Sequence, residues 1–318
     1  MNQMKGMPVV KAILADCRKI EEGIAPDRPV PDGSGAAQGF DRTVQDFPAY
    51  AKGSAEGCRR PRLAIVRVGE NPSDLSYEKG AVKRLGQAGA ECLVKAFPAD
   101  VPAQALAQTL DRLSADDAVD GILMFRPLPG NLPEKELLGH IAAEKDCDCV
   151  TREGLGKLFA GDPDAIPPCT AQAVLEVLKY YQIPIAGRNA VVIGRSLVIG
   201  KPVSMLLLAQ NATVTICHSR TQNLPEICRR ADILVAAVGK EKFVKPDWIR
   251  PGAAVVDVGI HVSADGKLTG DVDPAVYDLP EGYVTPVPGG LGPVTTAVLA
   301  RNTVRAARQR EMGGRADE

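Results

Sequence analysis

Apolar residues recur every three or four positions in VVKAILADCRKI (9–20), which predicts an amphipathic helix near the start of the chain. From Gly23 to Gly57 that pattern breaks, with prolines at 26, 29, 31 and 48 and a Gly/Ser/Asp-rich run at 32–39. The stretch 23–60 therefore reads as an atypical insertion or surface loop. A regular rhythm follows. A buried-type strand is expected at LAIVRV (63–68) and further strands at ECLVKAF (91–97) and VDGILMF (119–125), with helices over 74–89 and 102–114 between them. Such alternation predicts βαβ units and a parallel sheet. Pro127-Leu128-Pro129 ends the third strand, and Pro133 opens a further helix near 134–142.

A second series begins at Thr170, an expected N-cap for a helix over 171–181. NAVVIG (189–194), ATVTIC (212–217), DILVAAV (232–238) and AAVVDV (253–258) are four strand candidates, and the tail from Pro293 to about Arg310 is again helical. The expected fold class is α/β with two lobes. A parallel-sheet domain would occupy 1–164 and a Rossmann-type nucleotide-binding domain 165–288, with residues 289–318 forming a C-terminal helix that returns to the first lobe. Segments 143–169 and 285–293 would join the lobes across a cleft.

Composition narrows the class. At 318 residues the chain fits two domains of roughly 150 residues each. Its 38 basic and 39 acidic residues leave no positive field for nucleic acid or an anionic membrane. No apolar run reaches the ~18 residues that spanning a bilayer requires. The segment MNQMKGMPVVKAILADC lacks a secretory signal pattern, and eight unevenly spread cysteines do not form a disulfide framework. A cytoplasmic protein with reduced thiols is expected.

The strongest local signal is AVVIGRSLVIGKPVSMLLL (190–208): a strand runs into Gly194, and a short turn of Arg195 and Ser196 leads to Gly200, Lys201 and Pro202 at the start of a helix. Helix N-terminal amides favour a phosphate, and glycine lets the backbone approach it. The spacing is Gly-x5-Gly rather than Gly-x-Gly-x-x-Gly, so the turn alone leaves dinucleotide binding and a merely tight βα turn both open. The next strand ends in Cys217-His218-Ser219-Arg220-Thr221, where an NAD site would carry an acid for the ribose hydroxyl. Ser219, Arg220 and Arg195 suit a 2′-phosphate, which favours NADP over NAD.

GRSLVIGKP, CHSRT, VVDVGI (255–260), GDVD (270–273) and TPVPGGLGPVTTAVLARNT (285–303) together resemble the methylenetetrahydrofolate dehydrogenase/methenyltetrahydrofolate cyclohydrolase family. VGENPSDLSY (68–77), DGILMFRPLP (120–129) and KDCDCV (145–150) fall at that family's spacings, so the resemblance covers about 61–305. It implies two lobes around a folate cleft, tetrahydrofolate derivatives as ligands, and a homodimer formed through the nucleotide domain. By position, Tyr77 would stack on the pterin and aminobenzoyl rings, Asp148 would accept hydrogen bonds from the pterin, and the Pro288-Gly289-Gly290 backbone would border the folate. Gly239, Gly259 and Ile260 would join the glycine turn at the cofactor.

Two positions depart from the family. A lysine usually stands four residues after the tyrosine, where this chain has Ala81, and the family glutamine is replaced by Phe125, beside Arg126. Lys79 and Lys83 lie about 200° around the helix from that face, and the guanidinium of Arg84 does not carry protons at neutral pH. Hydride transfer requires alignment of two carbons, whereas hydrolysis of the methenyl bridge moves protons, for which an acid–base group is worth about 10²–10⁴-fold. The expected activity is NADP-dependent methylenetetrahydrofolate dehydrogenase, with the cyclohydrolase step threatened. A fully bifunctional enzyme and a non-catalytic folate-binding protein are the alternatives. Cys147 and Cys149 read as structural thiols rather than a metal pair, His140 as a surface residue, His218 as part of the cofactor loop, and His261 as the edge of the nicotinamide pocket.

Overall fold

Two parallel sheets carry the chain. The Val/Ile/Leu-rich strands Arg62–Val68, Gly121–Met124, Asn189–Ile193, Ile233–Ala236 and Ala254–Asp257 are buried, while Glu91–Phe97 and Thr213–Cys217 at the sheet edges are more exposed. The computed structural model describes residues 1–21, 59–263 and 266–314. The stretch read as an insertion, 23–60, therefore falls almost entirely outside the described residues.

In the first lobe, α1 (Gly6–Glu21) precedes β2 (Arg62–Val68), α2 (Pro72–Gln87), β3 (Glu91–Phe97), α3 (Ala103–Ala115) and β4 (Gly121–Met124). The strand β1 (Asn2–Gln3) lies ahead of α1 in the chain. The three-stranded sheet has the order β3-β2-β4, all parallel. Leu63, Ala64, Ile65 and Val66 of the central strand are fully buried, each large side chain contributing about 1.5–3 kcal/mol. Asn71 caps α2 by accepting the Ser73 amide, with Pro72 in its first turn.

The second lobe starts at α6 (Cys169–Tyr180), after the short helices α4 (Glu134–Leu137) and α5 (Arg152–Ala160). It continues through β5 (Asn189–Ile193), α7 (Gly200–Ala209), β6 (Thr213–Cys217), α8 (Leu224–Cys228), β7 (Ile233–Ala236) and β8 (Ala254–Asp257). The hairpin β9 (His261–Val262) and β10 (Leu268–Thr269) follows, then β11 (Tyr283–Val284) and α9 (Leu291–Gly314). The sheet order is β1-β11-β8-β7-β5-β6, all parallel. On either side of β5 the connections run in opposite directions, to β6 and to β7, which places the ligand crevice at its carboxyl end.

Several expectations are corrected here. The α6 helix begins at Cys169, so Thr170 lies inside it rather than at its N-cap. The reason is a remote partner: the Asp148 carboxylate accepts the Cys169 amide at 2.9 Å and satisfies the helix end in place of a local hydroxyl. The helix expected over 134–142 shortens to Glu134–Leu137 followed by one 3-10 turn. The connecting stretch 143–169 contains α5, capped by Thr151 and closed by Gly161 in the left-handed region. The edge strand β1 and its neighbour β11, each two residues long, had no periodic signal.

α9 packs against α1, α2 and α6. A buried charge cluster pins this junction: Arg301 of α9 lies 2.6 Å from Glu176 of α6 and 3.7 Å from Asp16 of α1. The guanidinium draws the Glu176 carboxyl below its usual range despite burial, which pushes the other way.

Candidate active site

One cluster forms where α2, the end of β4, the segment before α5 and the start of α6 meet. Tyr77, on α2, sets its ring edge-on to Phe125 with centroids 5.7 Å apart. Burial raises the Tyr77 phenol well above its ordinary value, and the nearby Cys169 and Asp148 push the same way. Arg126, one residue further along from Phe125, directs its guanidinium at Asp148, 3.9 Å away. Burial raises the Asp148 carboxyl, partly offset by the hydrogen bonds from Cys169 and by the charge of Arg126. Tyr77 and Asp148, expected to share one cleft, are thus brought together.

Ala81 lies one turn beyond Tyr77 and is fully buried, whereas Lys79 and Lys83 are exposed. Arg84 is held by Gln87, at 2.6 Å, and by Met7. Neither exposed lysine shares the buried face of Ala81. Pro288, Gly289 and Gly290 precede α9, and the Gly289 carbonyl accepts the Gly6 amide at 2.9 Å. The first turns of α9 reach α2, where Gly80 faces Thr296. The Pro-Gly-Gly segment itself lies against the start of α1, just ahead of the turns of α9 that reach α2.

The second cluster lies at the carboxyl ends of β5 to β8. Gly194 adopts φ +141°, and a Cβ there would overlap the Ala237 carbonyl. A Cβ on Gly200 would overlap the Gly194 carbonyl, so the turn closes only because both positions are glycine. Within it, Ser196 Oγ accepts the Ile199 amide at 3.1 Å, and the Ser196 carbonyl accepts the Lys201 amide. Pro202 sits in the first turn of α7, where no partner for its nitrogen is needed. Beyond β6, Ser219 and Arg220 are exposed, and the Arg220 amide donates to His218 Nδ1. Among the described residues, the guanidinium groups of Arg195 and Arg220 form no side-chain hydrogen bond or ion pair.

Two buried carboxylates shape the remaining wall. Asp271 accepts the amides of Val238, Gly239 and Lys240 and faces His261 Nε2 at 2.8 Å. Asp257 accepts the amides of Gly259, Asp271 and Val272, and burial pushes its carboxyl up to about 6. They tie the Gly239 loop to the Gly259-Ile260 loop, with Ile260 left exposed. His261, expected at the edge of the nicotinamide pocket, is thereby a partner of Asp271. Sequence reasoning quoted VVDVGI and GDVD without assigning these aspartates. Asp257 did carry a signal, an acid at the carboxyl end of the otherwise apolar strand β8, whereas Asp271, in the loop after β10, did not. Arg126 and Cys169 were also left unassigned.

His140 pairs with Asp111 at 2.8 Å on the surface, and His218 belongs to the loop after β6. Burial raises the Cys147 and Cys149 thiols, the latter to about 12, as expected of structural thiols. Among the described residues no helix is long and apolar enough to cross a membrane.

A doubly wound lobe with a glycine turn at the carboxyl end of its sheet, joined to a second parallel-sheet lobe in which Tyr77 and Asp148 lie together, is the architecture of a two-domain α/β enzyme of the dinucleotide-dependent class. Comparison with known proteins is specific. Residues 32–148 match the tetrahydrofolate dehydrogenase/cyclohydrolase catalytic domain, and residues 168–311 match the NAD(P)-binding domain of the same family. The chain belongs to the tetrahydrofolate dehydrogenase/cyclohydrolase family. It is 52% identical over 248 residues to a bifunctional protein FolD of Carboxydothermus hydrogenoformans, covering 77% of this chain and 86% of that one. A FolD methylenetetrahydrofolate dehydrogenase/cyclohydrolase from Campylobacter jejuni superposes with a TM-score of 0.82 at 31% identity, over 98% of this chain and 99% of that one. A Trypanosoma brucei enzyme of the same name, complexed with NADP and an inhibitor, gives 0.80 at 31% identity, over 97% of each chain. The family match starts at residue 32, so most of the stretch expected to be a family-foreign insertion lies inside the matched catalytic domain. The relatives' bifunctional names favour both activities over the expectation of a threatened hydrolase.

Proposed function

We propose that this protein is an NADP-dependent 5,10-methylenetetrahydrofolate dehydrogenase and methenyltetrahydrofolate cyclohydrolase. The observation that carries the reading is one chain holding both the Tyr77–Asp148 cleft and the Gly194–Gly200 turn, each inside a family-matched domain. The glycine turn fits a nucleotide, because it closes tightly only without a Cβ and so leads the chain from β5 straight into the N-terminus of α7, where amides favour a phosphate. Gly194, Arg195, Ser196, Gly200, Lys201 and Pro202 would hold the pyrophosphate, with Ser219 and Arg220 on the 2′-phosphate. Gly239, Gly259 and Ile260 would border the nicotinamide. When bound, NADP supplies a hydride acceptor. The protein's own residues do the rest. Tyr77 presents a flat face to the folate rings, Asp148 anchors the pterin, and the Pro288-Gly289-Gly290 backbone limits its movement. Alignment of the methylene carbon is the main demand of this step.

Ala81 and Phe125 favour a second reading, in which hydride transfer outpaces hydrolysis. Neither side chain can carry a proton, and no exposed lysine shares that face. A steady-state assay that follows methenyl formation separately from its hydrolysis distinguishes the two. Matched rates support the bifunctional reading, accumulation of the methenyl product supports the second, and no turnover with either nicotinamide cofactor refutes both.

Cofactor choice has its own test. The exposed Arg220 guanidinium is available for a charge-assisted bond worth roughly 1.5–3 kcal/mol. Arg220→Ala is expected to weaken NADP by about 10–100-fold while changing NAD less than about threefold. Equal losses for the two cofactors in parallel titrations would remove Arg220 from the 2′-phosphate site.

A further inference from the structure

The buried face of α2 beside Tyr77 carries Ala81 and no cation, yet the cluster is not without positive charge. Arg126 enters the same cluster from the end of β4, and its side chain is only 19% exposed, against 21% for Asp148. Solvent therefore screens the pair weakly. The carboxylate is divided between two partners: Oδ1 takes the Cys169 amide at 2.9 Å, and Oδ2 faces Arg126 at 3.9 Å. We propose that Arg126 is a positioning residue of this cleft, whose guanidinium keeps Asp148 ionised and oriented toward the folate. This rests on the reading of Asp148 as the pterin anchor.

The argument is electrostatic. Asp148 must be an anion to accept two donors from a pterin; protonated, it gives up acceptor capacity and becomes a donor itself. Burial opposes ionisation, as does the neighbouring Asp146. The groups facing Asp148 are Tyr77 on α2, Cys169 at the start of α6, Arg126 beyond β4, and Asp146, Cys147 and Cys149 on its own segment. Both the phenol and the thiols are raised by burial and stay neutral near pH 7. Arg126 is thus the one cation among these groups. The amide at the start of α6 assists, since a helix N-terminus favours an anion. A guanidinium does not exchange its proton near neutral pH, so the influence of Arg126 falls on binding rather than on proton transfer.

The sign follows directly. Removing Arg126 raises the Asp148 carboxyl further, so folate binding fails at a higher pH as pH is lowered. In Arg126→Gln, KM for methylenetetrahydrofolate is expected to rise about tenfold at pH 6 and to approach the unmodified value at pH 8.5, with kcat at saturation little changed. Arg126→Lys should restore most of the profile. Binding of NADP, measured by fluorescence titration, reports that the variants are folded. A rise in KM of equal size at every pH would assign Arg126 a direct contact with substrate and overturn the positioning role, as would an unchanged profile. Asp148→Asn separates this from the underlying reading. It keeps an acceptor for the Cys169 amide, and if it leaves KM unaltered then Asp148 is not the pterin anchor at all. If instead KM rises in Asp148→Asn but not in Arg126→Gln, only the role of Arg126 fails.

Discussion

Asp148→Ala is expected to lower kcat/KM for methylenetetrahydrofolate about 10³-fold while leaving NADP affinity within a factor of two. Two charge-assisted hydrogen bonds to the pterin would be lost, at roughly 1.5–3 kcal/mol each. The Arg126 guanidinium would also face the cleft without its counterion. A smaller loss of stability accompanies this, because the same carboxylate accepts the Cys169 amide at the start of α6. Removing such a cap costs about 0.5–2 kcal/mol. Steady-state kinetics paired with thermal denaturation separates the two effects. Retention of more than a tenth of the activity in a folded variant would show that the carboxylate does not hold the substrate.

The second large effect is expected at the nucleotide turn. In Gly200→Ala the new Cβ would overlap the Gly194 carbonyl, its carbon and the Arg195 amide nitrogen, all backbone atoms. No side-chain rotation relieves that contact, so the turn itself must shift, at about 1–3 kcal/mol of overpacking strain. The amides that would receive the pyrophosphate move with it. NADP affinity is expected to fall at least about 100-fold, while folate binding in the Tyr77–Asp148 cleft persists. Calorimetric titration of each ligand checks both halves. An NADP affinity within threefold of the unmodified protein would place the pyrophosphate elsewhere.

What could be read from the chain differs between the two sites. At the nucleotide turn the signal is local: strand, glycine, turn, glycine and helix follow one another within 190–208, and the chain folds that way because only glycine avoids the overlaps described. The position of Ser219 and Arg220, proposed for the 2′-phosphate, is local in the same way, since they closely follow the neighbouring strand β6. The folate cleft draws on four separated segments. Tyr77, Phe125, Arg126, Asp148 and Cys169 had no common signal in a single sequence; family resemblance pointed to Tyr77, Phe125 and Asp148, and only the structure added Arg126 and Cys169.

By itself the sequence determined the α/β alternation, the parallel strands β2 to β8 and the glycine turn, because each depends on residues within about one element of one another. Tertiary structure alone decided the rest. It added the edge strand β1 and its neighbour β11, two-residue strands too short for any period to register. It started α6 at Cys169, one residue before the expected cap, because a carboxylate 21 positions away in the chain accepts that amide. It also turned Arg126 from a residue beside a departure into the partner of Asp148, since ion pairing depends on distance and burial, and neither is a property of sequence spacing.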